Sequence, residues 1–225
     1  HADLTDTKLA GAALNQANVG AATLRRSDLS DADLSGAKLS RSVLDQTRLA
    51  GANLQQTDLV ETRYSRVDLS AARLDRQVFI EVDFSGSCLA NAQLAEATFV
   101  ECQAPAVDFS GAAAPRATWV TLSADGACFD RANLDNVRCA KTCSFSGASF
   151  VDAHMQSANL RGSHMPGSDL TRVNLDGADL SDCVLTDAKL YHVSGKKALV
   201  VGSDLSGADM RSANLMEAIV QRCNV

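Results

Sequence analysis

The chain has few of the residues that fill an ordinary globular core. Of its 225 residues one is Trp, two are Tyr and seven are Phe, so aromatics make up only 4%. With three prolines, ring-fixed corners are scarce too. No apolar run approaches the roughly 18 residues of a membrane-crossing helix, and the opening His1-Ala2-Asp3-Leu4 is not a signal peptide. No phosphate loop, no Gly-x-Ser-x-Gly, no His-Glu-x-x-His and no Cys-x-x-Cys occurs. A basic surplus is missing as well. Lys and Arg number 21 against 27 Asp and Glu, a net charge of −6, which argues against a direct grip on nucleic acid or on an anionic membrane. Yet 46% of residues are apolar and 21% charged, proportions that exclude disorder. Something other than large rings must fill the interior.

What is present is a repeat of five. Leucine stands at 4, 9 and 14, then at every fifth position from 24 to 59. Following that central slot gives 28 centres from Leu4 to Cys139 and, after a shift of one residue, 17 more from Phe145 to Val225. Of these 45 centres, 24 are Leu and 7 are Phe, so the slot takes nearly every Leu and all the Phe in the chain. The residue two before each centre is Ala, Ser, Thr, Cys or Val in 43 repeats, Gln77 and Leu122 being the exceptions. Asp or Asn often stands between, as in Ala32-Asp33-Leu34 and Ala52-Asn53-Leu54.

Period five is not helical, because successive centres would fall 140° apart around the axis. A continuous strand would flip each centre to the opposite face. A three-residue extended segment followed by a corner satisfies the pattern. The small residue and the centre then point inward, the Asp or Asn between them points out, and pairs such as Ser-Gly or Asp-Gly make the turn.

Stretches such as Ala32 to Gly36, Ala178 to Asp182 and Ala208 to Ser212 match Ala-(Asp/Asn)-Leu-X-X. The chain therefore resembles the pentapeptide-repeat family over essentially its whole length. The resemblance implies an all-β fold: a right-handed, quadrilateral, parallel β-helix with four repeats per coil, here about 11 coils in a single domain over 1–225. It also implies a runner-up function, a DNA-mimicking modulator of DNA gyrase of the fluoroquinolone-resistance type. Against that reading, basic residues interrupt every wall, as at Arg25-Arg26, Arg63 and Arg66, whereas a duplex mimic needs a continuous negative stripe.

Three irregular stretches break the register. Residues 102–126 hold a coil with centres Ala104, Phe109, Ala114 and Trp119, read as a layer repacked around the one Trp or, alternatively, as a pocket over the two alanines. A one-residue phase shift near 140–144 calls for a bulge. Residues 192–201, with Gly195 at a centre and Lys196-Lys197 after it, read as a short outward loop. The pattern runs to both ends without a cap. That suggests a repeat domain of a longer bacterial protein or rods associating end to end.

Seven cysteines offer no ligand set. Cys102, Cys143, Cys183 and Cys223 take the small inward slot, Cys139 is a centre, and Cys88 and Cys128 point out. They read as small hydrophobes in a reducing, cytoplasmic setting, with a secreted effector left open. His154, His164 and His192 fall on three different walls, so no metal, cofactor or catalytic constellation is expected.

One wall carries a candidate partner site. The residues after its centres are Val60, Ile80, Val100 and Val120, spaced 20 apart and facing out, with Glu61, Glu81 and Glu101 stacked beside them. β-branched residues suit stacked strands, but a column of like charges is destabilising. The pair of columns therefore suggests a docking ledge for a partner with apolar and basic groups. The function expected is a non-enzymatic scaffold or protein-interaction module with an unknown protein partner.

Overall fold

The computed structural model describes residues 2–225; His1 lies outside them. The small–polar–centre triplet forms the straight side of a tube, and the two residues after it form a corner. Around Leu34 the scheme is complete. Its amide donates to Asn53 O of the next coil (2.8 Å), Asn53 N donates back to Ala32 O (2.9 Å), and Gly36 N reaches Gln55 O (2.9 Å). Ala37 N then closes the corner on Leu34 O (2.9 Å). Each side is thus paired in parallel with the side 20 residues later, as in Asp3↔Thr23, Lys8↔Asp28, Ala13↔Asp33 and Asn18↔Lys38. These four ladders are four walls, and the fold is a four-sided parallel β-solenoid without helix. No helix of the described residues is long and apolar enough to cross a membrane.

The second corner residue has positive φ, near +55 to +70°, whether it is Gly51 or a larger residue such as Arg26 or Glu96. A β-turn with a left-handed third residue is what lets five residues turn a right-angled corner. On the fourth wall, counting from the Leu4 wall, the sides lengthen into strands. β1 (Val78–Ile80), β2 (Thr98–Val100), β3 (Thr118–Val120) and β4 (Arg138–Ala140) form one parallel sheet. Further along, β5 (Leu199–Val201) pairs with β6 (Ile219–Gln221). β-branched residues after the centres (Ile80, Val100, Val120, Val201) hold the chain extended for one more step.

The centres fill the interior and are buried throughout most of the tube. Leucines dominate the first coils and phenylalanines the middle. Phe109 stacks on Phe129 (4.8 Å, 2° between planes) and Phe129 on Phe150 (4.9 Å, 5°), the spacing of paired strands. The coil of Ala104, Phe109, Ala114 and Trp119 is a repacked layer. The void among Phe109, Ala114, Trp119 and Leu134 is about 10 Å³, at the lower limit for one water and so no ligand pocket. Leu122 and Ala124 exchange roles there, the large residue taking the small slot and the small one the centre, both buried.

The register shift is one residue wide. Ser123↔Ser144 and Arg138↔Asn159 pair 21 apart, and the 20-residue spacing resumes with Ser144↔His164. The expectation of an outward loop at 192–201 is not met. Ser194 pairs with both Asn174 and Asn214, and Gly195 keeps its central slot with its amide on Asn214 O (2.9 Å). The missing side chain is replaced from the next coil: a methyl on Gly195 would stand 3.0 Å from Leu215 Cδ2.

A candidate docking surface on the fourth wall

The sheet β1–β3 brings part of the expected ledge together. Ile80, Val100 and Val120 are in register across it, with Thr98 and Thr118 in the preceding outward column. Val60 is not in that ladder. It lies in a turn, and no bridge joins Asp58 to Val78. On the neighbouring first wall the bridge from Arg63 to Asp83 is missing as well, whereas Asn53↔Arg73 and Asp68↔Cys88 hold the other two walls. The tube is therefore split along one corner between two coils.

Gln77 and Tyr64 account for the split. Gln77 occupies an inward slot that elsewhere holds a small residue, and its Nε2 donates to Leu54 O (2.6 Å) and Thr57 O (3.0 Å). It takes the carbonyl that the Val78 amide would use. Tyr64 is an oversized centre wedged against Phe79 and Phe84, with ring centroids 6.2 and 5.5 Å away. Its buried hydroxyl has no hydrogen-bond partner, and burial holds its phenol far above the ordinary range. Where Phe109 and Phe129 stack nearly flat at 4.8 Å and keep their rungs paired, Tyr64 and Phe84 are tilted by 41° with centroids 5.5 Å apart, wider than the rung spacing.

The outer face over the split is apolar and open. Val60, Val78 and Ile80 are 63%, 52% and 60% exposed, on a rod whose other large apolar groups are mostly inside. They line a cleft of about 420 Å³ with Leu59, Glu61, Thr62, Arg63 and Glu81. Glu61, Glu81 and Glu101 follow along one edge, all in the left-handed corner position (φ 54–55°). Glu61 is engaged by Arg41 (3.1 Å), which partly relieves the carboxylate column, while Glu81 and Glu101 have no ion-pair partner among the described residues. The opposite edge carries groups that the sequence reading missed. Arg76 and Arg116 both bind Glu96 (3.0 and 2.8 Å), and these two guanidiniums, Arg116 first, hold its carboxyl below the usual range. The same 20-residue stacking that revealed the valines would have revealed them.

The model for the pentapeptide-repeats family matches eight copies, over residues 2–41, 27–63, 65–99, 78–112, 127–166, 148–187, 167–194 and 197–225. The chain belongs to the pentapeptide-repeat family. No curated protein matches it. Among solved structures it is similar to HetL, a pentapeptide repeat protein involved in heterocyst differentiation regulation from the cyanobacterium Nostoc sp. strain PCC 7120. The identity is 26% over 88% of this chain and 86% of that one, with a TM-score of 0.39. Full-length QnrB1, a plasmid-mediated fluoroquinolone resistance protein, is 18% identical over 81% of this chain and 91% of that one, with a TM-score of 0.35.

As a pentapeptide-repeat rod, the molecule neutralises its own charge between coils. Arg26–Asp6 (2.6 Å), Arg48–Asp28 (2.9 Å), Arg172–Asp152 (2.6 Å) and Lys189–Asp169 (3.0 Å) all join residues 20 apart. Asp28, bonded by Arg48 and by Ser30, has its pKa pulled down to about 2. Most polar small-slot residues are satisfied too, the buried Ser163 hydroxyl being an exception among the described residues. Thr47 Oγ1 donates to Leu24 O (2.6 Å), Thr57 Oγ1 to Leu34 O (2.8 Å) and Ser203 Oγ to Leu180 O (2.7 Å), each reaching the centre 23 residues earlier. Cysteines in that slot do the same: Cys183 Sγ donates to Leu160 O (3.1 Å) and Cys102 Sγ to Phe79 O (3.5 Å). They act as serine analogues as much as hydrophobes, and burial pushes the Cys183 thiol up to about 12. Cys139 lies across the bulge against Cys143, and that thiol contact, with burial, raises its own pKa. Among the described residues no group of His, Cys, Asp and Glu is arranged to hold a metal.

Proposed function

We propose that the chain is a non-enzymatic scaffold whose fourth wall, from Val60 to Val120, docks a protein partner. One observation carries this reading. A rod that buries most of its centres leaves Val60, Val78 and Ile80 more than half exposed in one place away from its ends, between an acidic and an arginine-bearing edge. Exposed aliphatics grouped in this way mark interaction surfaces more often than scattered ones do. The inter-coil ion pairs support protein docking over duplex mimicry, since they interrupt the negative charge at each of the four corners. Ile80→Lys with Val100→Lys places two cations on the apolar column without touching a centre. In affinity capture from the native cell, the double variant is expected to lose the partners retained by the unaltered chain and to melt as a folded rod. A full set of partners on the folded double variant would end the reading. Gyrase supercoiling is expected to run unchanged in the presence of the protein.

A further inference from the structure

The split itself, rather than the ledge as a whole, has the chemistry of a specific site. In every complete rung the amides of the upper side donate to carbonyls of the next coil. Across the split those bonds are absent: Leu59 N and Glu61 N do not reach Val78 O and Ile80 O, and Tyr64 N does not reach Asp83 O. The Val78 amide likewise does not reach Thr57 O, which accepts from Gln77 Nε2 instead. The cleft thus sets the Leu59, Glu61 and Tyr64 amides of one lip against the Val78, Ile80 and Asp83 carbonyls of the other, with the Val78 amide a further free donor on that second lip, over a floor formed by Leu59 and Thr62. Unpaired main chain is costly where it is shielded from water, and an extended chain is the ligand that satisfies both lips at once.

We propose that this cleft binds an extended segment of a partner protein in which aliphatic residues alternate with lysine or arginine. Its main chain bridges the separated lips, and its aliphatic side chains face the floor of Leu59 and Thr62. Its cations, on the opposite face of the strand, lay their stems along Val60, Val78 and Ile80 and reach Glu81 and Glu101, which have no ion-pair partner among the described residues. The proposal rests on reading the fourth wall as a docking surface and narrows that surface to one corner and one ligand class. Gln77 acts as a positioning residue, since it holds the lips apart from inside the tube without facing the ligand.

The test uses the full chain and a fluorescein-labelled peptide of alternating lysine and valine, with the glutamate–valine peptide as its counterpart, read by fluorescence anisotropy. Gln77→Ala installs the residue that this slot usually holds and frees Thr57 O for the Val78 amide. Binding of the lysine–valine peptide is expected, weaker by about tenfold or more in Gln77→Ala, and absent for the glutamate–valine peptide. Amide exchange supplies a second readout, in which Leu59, Glu61 and Val78 become protected when the peptide is added. Equal binding of both peptides, or equal binding to Gln77→Ala, would overturn the cleft. If the peptide binds Gln77→Ala normally but fails on Ile80→Lys/Val100→Lys, the ledge stands and the cleft falls. Sedimentation showing a dimer that Ile80→Lys abolishes, with no peptide bound, would assign the cleft to a second copy and overturn the proposal.

Discussion

At the residue scale, position in the five-residue cycle sets the cost of a substitution. A centre is enclosed by the coils above and below, so Leu54→Ala and Leu134→Ala, both buried, are expected to destabilise by about 2–5 kcal/mol in chemical unfolding. Tyr64→Phe goes the other way. It deletes a buried hydroxyl that has no partner and keeps the ring between Phe79 and Phe84, so it should stabilise by roughly 1 kcal/mol. Corners obey different rules: Gly51 has φ +69°, and a methyl there would run into the Asp31 carboxylate stacked beneath it. Gly51→Ala is expected to cost about 1–2 kcal/mol. Centres and small slots were legible in the sequence because their spacing alone reveals them. The consequence of Gln77 was not. It stood out as an exception to the small slot, but whether a long side chain there is absorbed or opens the wall depends on the carbonyls within its reach.

At the element scale, each wall is a ladder of bonds and ion pairs between coils. Asp28 and Asp209 have pKa values lowered to about 2, each chiefly by an arginine, Arg48 and Arg211 respectively. A carboxylate depressed in the folded state lends stability that is present above its unfolded value near 3.8 and lost as pH falls through the folded value. The melting temperature should therefore hold above about pH 4 and fall between about pH 4 and pH 2. Salt should screen these exposed pairs and, because each contributes little, lower the melting temperature only slightly. The valine column was partly readable, since equal 20-residue spacing places Ile80, Val100 and Val120 in one sheet. Val60 shared the spacing yet sits across the split, because regular spacing describes coils that close and these two do not. The loop expected at 192–201 failed for a related reason. Gly195 looked like a break, but Leu215 of the following coil leans over it and keeps the slot filled.

At the scale of the whole molecule, a solenoid is a one-dimensional stack in which each coil is stabilised by its neighbours. Losing two of four ladders between adjacent coils leaves a weak joint, so the rod should open there before either half unfolds. The apolar exposure, the unpaired main chain and Glu81 gather at that joint, on the wall proposed to dock a partner. Residue-resolved amide exchange on the intact chain tests this most directly. Slow exchange is expected at ladder amides such as Leu34, Leu94 and Leu134, and exchange faster by orders of magnitude at Leu59, Tyr64, Val78 and Asp83. Uniform protection along the tube, with those four amides as slow as the rest, would contradict it.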